Sequence, residues 1–263
     1  MPKLAANLSM LFNEFDFLDR FNAAADAGFA GVEYLFPYAF DKNALADRLG
    51  YNNLIQVLHN LPAGNWEGGE RGIACHPGRI GEFQEGVGLA IDYATAFGCR
   101  QLNCLAGIAP LNADPDIVHA TFVDNLCFAA NKLKDAGIRL LIEPINTFDI
   151  PGFYLTRTNQ ALNIIREVGS DNLFVQYDIY HAQRMEGDLA STIAQNLAKI
   201  AHIQLADNPG RHEPGTGEIN FDWLLPYIDS LDYKGWVGCE YKPATHTYEG
   251  LGWMSAFAVP TAT

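Results

Sequence analysis

The sequence predicts an α/β fold, a single closed parallel (β/α)8 TIM barrel, and three observations lead there. Eight short β-rich runs alternate with longer amphipathic stretches. The chain has 263 residues, 49% of them hydrophobic, which suits one barrel-sized core. No linker-like composition interrupts it, so residues 1–263 read as one domain, with a tail expected to fray from about residue 255. The runner-up, an open doubly wound sheet, calls for a G-x-G-x-x-G turn after the first strand, and none follows it.

The strand runs, in order, are KLAANLSM (3–10), GVEYLF (31–36), IQVLHNLP (55–62), QLNCLAG (101–107), RLLIEPIN (139–146), LFVQYDIYH (173–181), IAHIQLAD (200–207) and GWVGCEY (235–241). Helix-like segments lie near 14–27, 41–49, 79–97, 115–136, 158–168, 188–197 and 221–231. The third shows the period best: Ile80, Phe83, Val87, Ala90, Ile91 and Ala94 share one helical face. DAGFAGVE and DAGIRLLIE each stop a helix at glycine before a strand begins. Two long connections, 62–78 and 206–220, are rich in Gly, Pro and charge, the composition of loops that cover a site.

Acidic residues outnumber basic ones by 31 to 17, a formal charge of −14. Such a chain repels phosphate backbones, so nucleic acid is not an expected partner. Five scattered cysteines (Cys75, Cys99, Cys104, Cys127, Cys239) form no C-x-x-C pair, and read as reduced thiols rather than a disulfide framework or thiolate zinc site. No signal peptide and no membrane-length apolar run is seen, so a cytoplasmic protein without membrane association is expected, its oligomeric state open.

In such a barrel, chemistry sits where strands end and βα loops begin. Those ends carry Asn7, His59, Asn60, Asn103, Glu143, Asp178, His181, Gln204 and Glu240. Glu143, Asp178, Gln204 and Glu240 close strands five to eight and are therefore neighbours on the rim. Three carboxylates and an amide oxygen form a hard-oxygen set suited to a divalent metal ion, Mg²⁺ or Mn²⁺, which would also answer their mutual repulsion. Each has a plainer reading: Asp178 as a helix cap, Gln204 as a satisfied core amide. His181 follows Asp178 by three and can lean over the same pocket. Arg211 is the best cation for an anionic substrate, with a surface salt bridge as the plain alternative. Lys242 is a weaker second candidate. His59 could contact substrate or be structural, and Trp66 could stack on substrate or anchor its loop. Glu33, mid-run, reads as a buried pair in the barrel interior, and Asn7 and Asn103 as hydrogen-bond fillers.

The blocks LHNLPAGNWEGGERGIACHPGR, LLIEPINTFDIPGFYLT, VQYDIYHAQRMEGD, HIQLADNPGRHEPGTGEIN and GWVGCEYKP together resemble the bacterial hydroxypyruvate isomerases, across nearly the whole chain. More broadly the chain is similar to the xylose isomerase-like barrels, which include ketose 3-epimerases and endonuclease IV-type nucleases. The resemblance implies an intramolecular oxidoreductase interconverting hydroxypyruvate and tartronate semialdehyde in glyoxylate metabolism, without nucleotide or flavin. It also implies that Glu143 and Glu240 are an acid–base pair sharing a divalent metal with Asp178 and Gln204. Gln204 stands where the sugar epimerases usually carry histidine. His181 and Arg211 match positions that hold substrate oxygens. Glu143 is preferred as base, with Glu240 its partner. A 2-oxo-tetronate isomerase or ketose 3-epimerase would use the same site.

Overall fold

A computed structural model describes residues 2–257. Eight parallel strands close into a barrel in sequence order: β1 Lys3–Asn7, β2 Gly31–Glu33, β3 Ile55–Asn60, β4 Gln101–Cys104, β5 Arg139–Ile142, β6 Leu173–Asp178, β7 Ile200–Leu205 and β8 Trp236–Cys239. Closure comes from β1 pairing with β8, with Lys3 opposite Trp236 and Ala6 opposite Cys239. Around them run α1 Arg20–Asp26, α2 Lys42–Tyr51, α3 Ile80–Phe97, α4 Pro115–Asp135, α5 Thr158–Val168, α6 Ile179–Met185, α7 Leu189–Asn196 and α8 Phe221–Ser230. A 3-10 stretch, Glu249–Phe257, follows β8. From residue 258 onward, the expected fraying of the tail lies outside the described residues.

Local chemistry sets these limits. Asp114 caps α4 by accepting from the Asp116 backbone N–H at 2.9 Å, and Pro115 gives up no needed donor at the first helical position. Gly98 ends α3 at φ +66°, a left-handed conformation that glycine adopts without a Cβ clash. Every strand is shorter than the run that predicted it. After β5 the backbone leaves the ladder at Glu143 and Pro144, and Ile145 donates to the Leu155 carbonyl instead. One α-helix was missed: α6 starts directly at Ile179, inside the run read as strand six. Ile179 and Tyr180 are buried like the strand before them, so hydrophobicity alone carries no mark of the switch. The Asp178 carboxylate makes it, accepting from the Tyr180 backbone N–H at 2.8 Å.

Alternation along the strands gives the barrel two kinds of core. Outward residues such as Val32, Leu102, Leu140, Val175 and Val237 pack with Phe83, Phe122, Ile164 and Leu225 of the helices. Ala5, Val57, Leu58, Leu141 and Ala201, with Phe174 and Trp236, fill the interior at the N-terminal end. Above that floor Glu33 lies inside the barrel, fully buried and paired with His202 at 2.6 Å, as its mid-run position predicts. Gly238 makes room for it: a Cβ there would sit 2.4 Å from both carboxylate oxygens. His59 faces the other way, between Tyr34, Tyr38 and the α3 residue Phe97. Neither ring nitrogen has a hydrogen-bond partner among the described residues. Burial pushes its pKa down to about 3.

Two measurements check this packing. Gly238→Ala should cost about 1–3 kcal/mol in urea unfolding because Glu33 is pinned and cannot yield. Gly252→Ala, whose added methyl meets open space, should stay within about 0.5 kcal/mol of the parent. The unfolded chain protonates His59 near 6.5 whereas the fold resists down to about 3, so this group's contribution to stability falls as pH drops through that window. His59→Phe should therefore shrink the stability lost between pH 7.5 and 5 by about 2 kcal/mol. An unchanged loss would mean the imidazole is not held neutral.

Candidate active site

Each strand delivers one polar side chain to the C-terminal end of the barrel interior: Asn7, Glu33, Asn60, Asn103, Glu143, Asp178, Gln204 and Glu240, all buried. Asn7 and Gln204 point their amide nitrogens at two carboxylates each. Asn7 Nδ2 donates to Glu33 Oε1 at 3.0 Å and Glu240 Oε2 at 3.2 Å. Gln204 Nε2 donates to Glu33 Oε1 at 2.7 Å and to Glu240 Oε2. The Gln204 oxygen accepts from Gln176 Nε2 at 2.6 Å. Reversing that amide would aim its oxygen at two carboxylates, so the present orientation is the one electrostatics favours. Asn103 supports the other acid, donating to Glu143 Oε2 at 2.9 Å.

The loops complete the arrangement. Arg211 Nη2 lies 2.9 Å from Glu240 Oε1 and 3.6 Å from Asp178 Oδ2, with the guanidinium 5.0 Å above the Tyr180 ring. Its backbone takes φ +56°, a region costly for a side-chain-bearing residue. Asp207 holds that conformation by accepting from the backbone N–H groups of Asn208, Gly215, Gly217 and Ile219. His181, on the first turn of α6, meets Asn146 Nδ2 at its Nδ1, 2.6 Å away. That contact leaves Nε2 for the proton, directed toward Asp178 Oδ2 at 3.5 Å and Glu143 Oε1 at 3.8 Å.

Charge is crowded here. Burial, with Glu240 and Asp178 adding repulsion, lifts the Glu143 carboxyl well above the usual carboxylate range. Burial likewise pushes Glu240 up to about 8, against the opposing pull of Arg211. Asp178 is raised by burial and held back by Arg211 and by backbone N–H groups. Burial also disfavours the Arg211 charge, but Glu240, Asp178, Glu143 and Asp149 together keep it firmly protonated. Burial, then Arg211 and Arg184, hold His181 neutral.

Glu143, Gln204, Glu240, His181, Arg211 and Trp66 all line one cavity of about 190 Å³. Asp178 sits behind its wall, its Oδ2 buried without a hydrogen-bond partner. The donor atoms of Glu143, Asp178 and His181 lie within 4.8 Å of one another. Two expected contacts are not brought in: His59 faces α3, and Lys242 is exposed, acting through its backbone, which donates to the Arg211 carbonyl at 2.8 Å. Sequence reasoning missed Asn146, Asp149 and Arg71. The spacing of Asn146 and Asp149 in INTFD was a usable signal, because the Asn146 Oδ1 closes a turn by accepting from the Phe148 and Asp149 N–H groups.

Comparisons with known proteins agree on this architecture. The chain is 58% identical to the hydroxypyruvate isomerase of Escherichia coli K12, covering 98% of this chain and all of that one. It is 48% identical to a 2-oxo-tetronate isomerase of Cupriavidus necator, covering 98% and 99%. A crystal structure from Brucella melitensis, described as an AP endonuclease of family 2, superposes with a TM-score of 0.96 at 45% identity, covering 98% and 100%. The family profile of the xylose isomerase-like TIM barrels matches residues 21–257, and the chain belongs to that family.

Proposed function

We propose that this chain is a cytoplasmic isomerase that interconverts hydroxypyruvate and 2-hydroxy-3-oxopropanoate (tartronate semialdehyde) by moving a proton between neighbouring carbons. The observation that carries the reading is the pairing of Glu143 and Glu240 on one small cavity with both carboxyls held above their usual range. Full-length identity to an enzyme named for this reaction supports the substrate. The five unpaired thiols suit a reducing compartment.

In the chemistry, one carboxylate removes a proton from C3 of hydroxypyruvate, leaving an enediolate across C2 and C3. A carboxylic acid then returns a proton to C2 while the C3 hydroxyl proton passes to O2, so the carbonyl moves from C2 to C3 and C2 becomes the carbinol. Glu240 has three donors on it, from Arg211, Gln204 and Asn7, and is the better holder of negative charge. Glu143 has one amide donor and two carboxylate neighbours, so it keeps a proton more readily. This favours Glu240 as base and Glu143 as acid in the forward direction, the reverse of the expectation from the sequence, with roles exchanged for the return. Arg211 faces the charge that develops on the oxygens, and neutral His181 can donate through Nε2.

The residues also fit a divalent cation. An orphaned Asp178 oxygen and three buried acids against one guanidinium leave negative charge to be balanced. Glu143, Asp178 and Glu240 would hold it, with His181 or, after reversal of its amide, Gln204. Bound there, a Mg²⁺ or Mn²⁺ supplies Lewis-acid polarisation of substrate oxygens. The relative from Cupriavidus supports a second reading with the same chemistry on a four-carbon acid. The description of the Brucella structure as an AP endonuclease is not carried over to this chain, because a net charge of −14 disfavours a phosphate backbone.

Glu143→Gln and Glu240→Gln should each fold normally and lower kcat by about 10²–10⁴-fold, and retention of activity in either would remove that residue from the mechanism. Parallel assays should rank hydroxypyruvate above 2-oxo-tetronates in kcat/KM, and the opposite order would favour the second reading. Chelation followed by Mg²⁺ or Mn²⁺ add-back should abolish and restore turnover. Full activity after exhaustive chelation would remove the cation and leave the two glutamates standing.

A further inference from the structure

We infer that Arg71, rather than Arg211, binds the carboxylate of the substrate and so fixes which end of the acid enters first. The inference rests on the keto-acid reading above and adds the residue that selects for an anion.

A cavity whose wall carries Glu143, Asp149 and Glu240 repels an acid unless a cation is available to meet it. Arg211 is not free for that purpose. Its Nη2 is committed to Glu240 and lies near Asp178, and its Nη1 is 3.9 Å from Asp149. His181 is neutral. The remaining cation on the wall is Arg71, and it has no carboxylate within ion-pair distance among the described residues. The adjacent acid, Glu70, is turned away, with Oε1 on Arg79 and Oε2 on the Asn65 backbone N–H.

Arg71 is also held in place before any ligand arrives. Its Nη1 donates to the Trp66 carbonyl at 3.0 Å and the Glu70 carbonyl at 2.7 Å, and its Cζ lies 4.3 Å from the Trp66 ring centre. Nε and Nη2 have no partner among the described residues. The following loop is anchored to the next one: Cys75 N–H donates to the Ala106 carbonyl at 2.9 Å, and His76 Nε2 meets the Ile108 carbonyl at 2.8 Å. Gly72, at φ +114°, presses on the Leu105 carbonyl where a Cβ would come within 2.4 Å. A guanidinium already stacked and pinned by one nitrogen loses little freedom on binding a carboxylate. With C1 on Arg71, the hydroxyl and carbonyl carbons of a three-carbon acid are left for Glu143 and Glu240.

Glycerate, a three-carbon acid with no carbonyl to isomerise, separates binding from turnover. Calorimetric titration should show glycerate binding to the parent, weakened roughly 10–100-fold by Arg71→Gln and by less in Arg71→Lys, which keeps the charge. With hydroxypyruvate, Arg71→Gln should raise KM far more than it lowers kcat. The lysine variant keeps the test open if the glutamine variant folds poorly. Glycerate affinity unchanged in Arg71→Gln, no glycerate binding by the parent, or a lysine variant as weak as the glutamine one would each overturn the assignment. A parent that binds glycerate in an Arg71-dependent way but never turns over hydroxypyruvate would sink the isomerase reading and leave the anion site.

Discussion

Glu143, Asp178 and Glu240 are buried beside one another at the C-terminal mouth of the barrel, and that concentration of like charge is what the surrounding structure answers. Isolated carboxylates in such a place would simply protonate. Here Asn7, Gln204 and Asn103 turn amide nitrogens toward two of them, and Arg211 reaches in from the loop after β7. The compensation stays partial, since all three carboxyls still lie above their usual range. Glu240, lifted to about 8, both takes and gives a proton more readily near neutral pH than an ordinary carboxylate, the property the proposed proton transfer calls for.

The support extends downward through the barrel. Glu33 and His202 form a fully buried pair, and the same Glu33 oxygen that accepts from Gln204 also accepts from Asn7. The two amides that hold Glu240 are thus themselves held from below. Gly238 on β8 is the space that lets Glu33 lie there. A glycine two residues before Glu240 is in this way part of the site's geometry, through packing against Glu33.

Most of the barrel was legible because its strands and helices differ in hydrophobic period, and the acids were legible because they interrupt apolar runs at corresponding strand ends. Where period failed, tertiary context had decided. The apolar start of α6 continued the β6 pattern, so His181 was read as strand when a helix carries it. His59 and Asn60 are adjacent, and only their opposite facing separates a packed ring from a cavity wall. Asn7 and Asn103 looked like fillers because a sequence does not show which carboxylate an amide will meet. Arg71 went unnoticed for a related reason: its importance comes from lacking an acidic partner, and that is visible only once Arg79 and Asn65 are seen to occupy Glu70.

The central claim is that a proton, carried by carboxylates, moves between carbons C3 and C2. Turning over unlabelled hydroxypyruvate in D₂O and reading the product by NMR tests it directly. Transfer through Glu240 and Glu143 predicts deuterium at C2 of the 2-hydroxy-3-oxopropanoate formed, because both groups exchange with solvent between turnovers. Product carrying only the original C3 hydrogen at C2 would mean that hydrogen crosses without exchange, by a hydride shift or on a single shielded base, and would contradict transfer through the two glutamates.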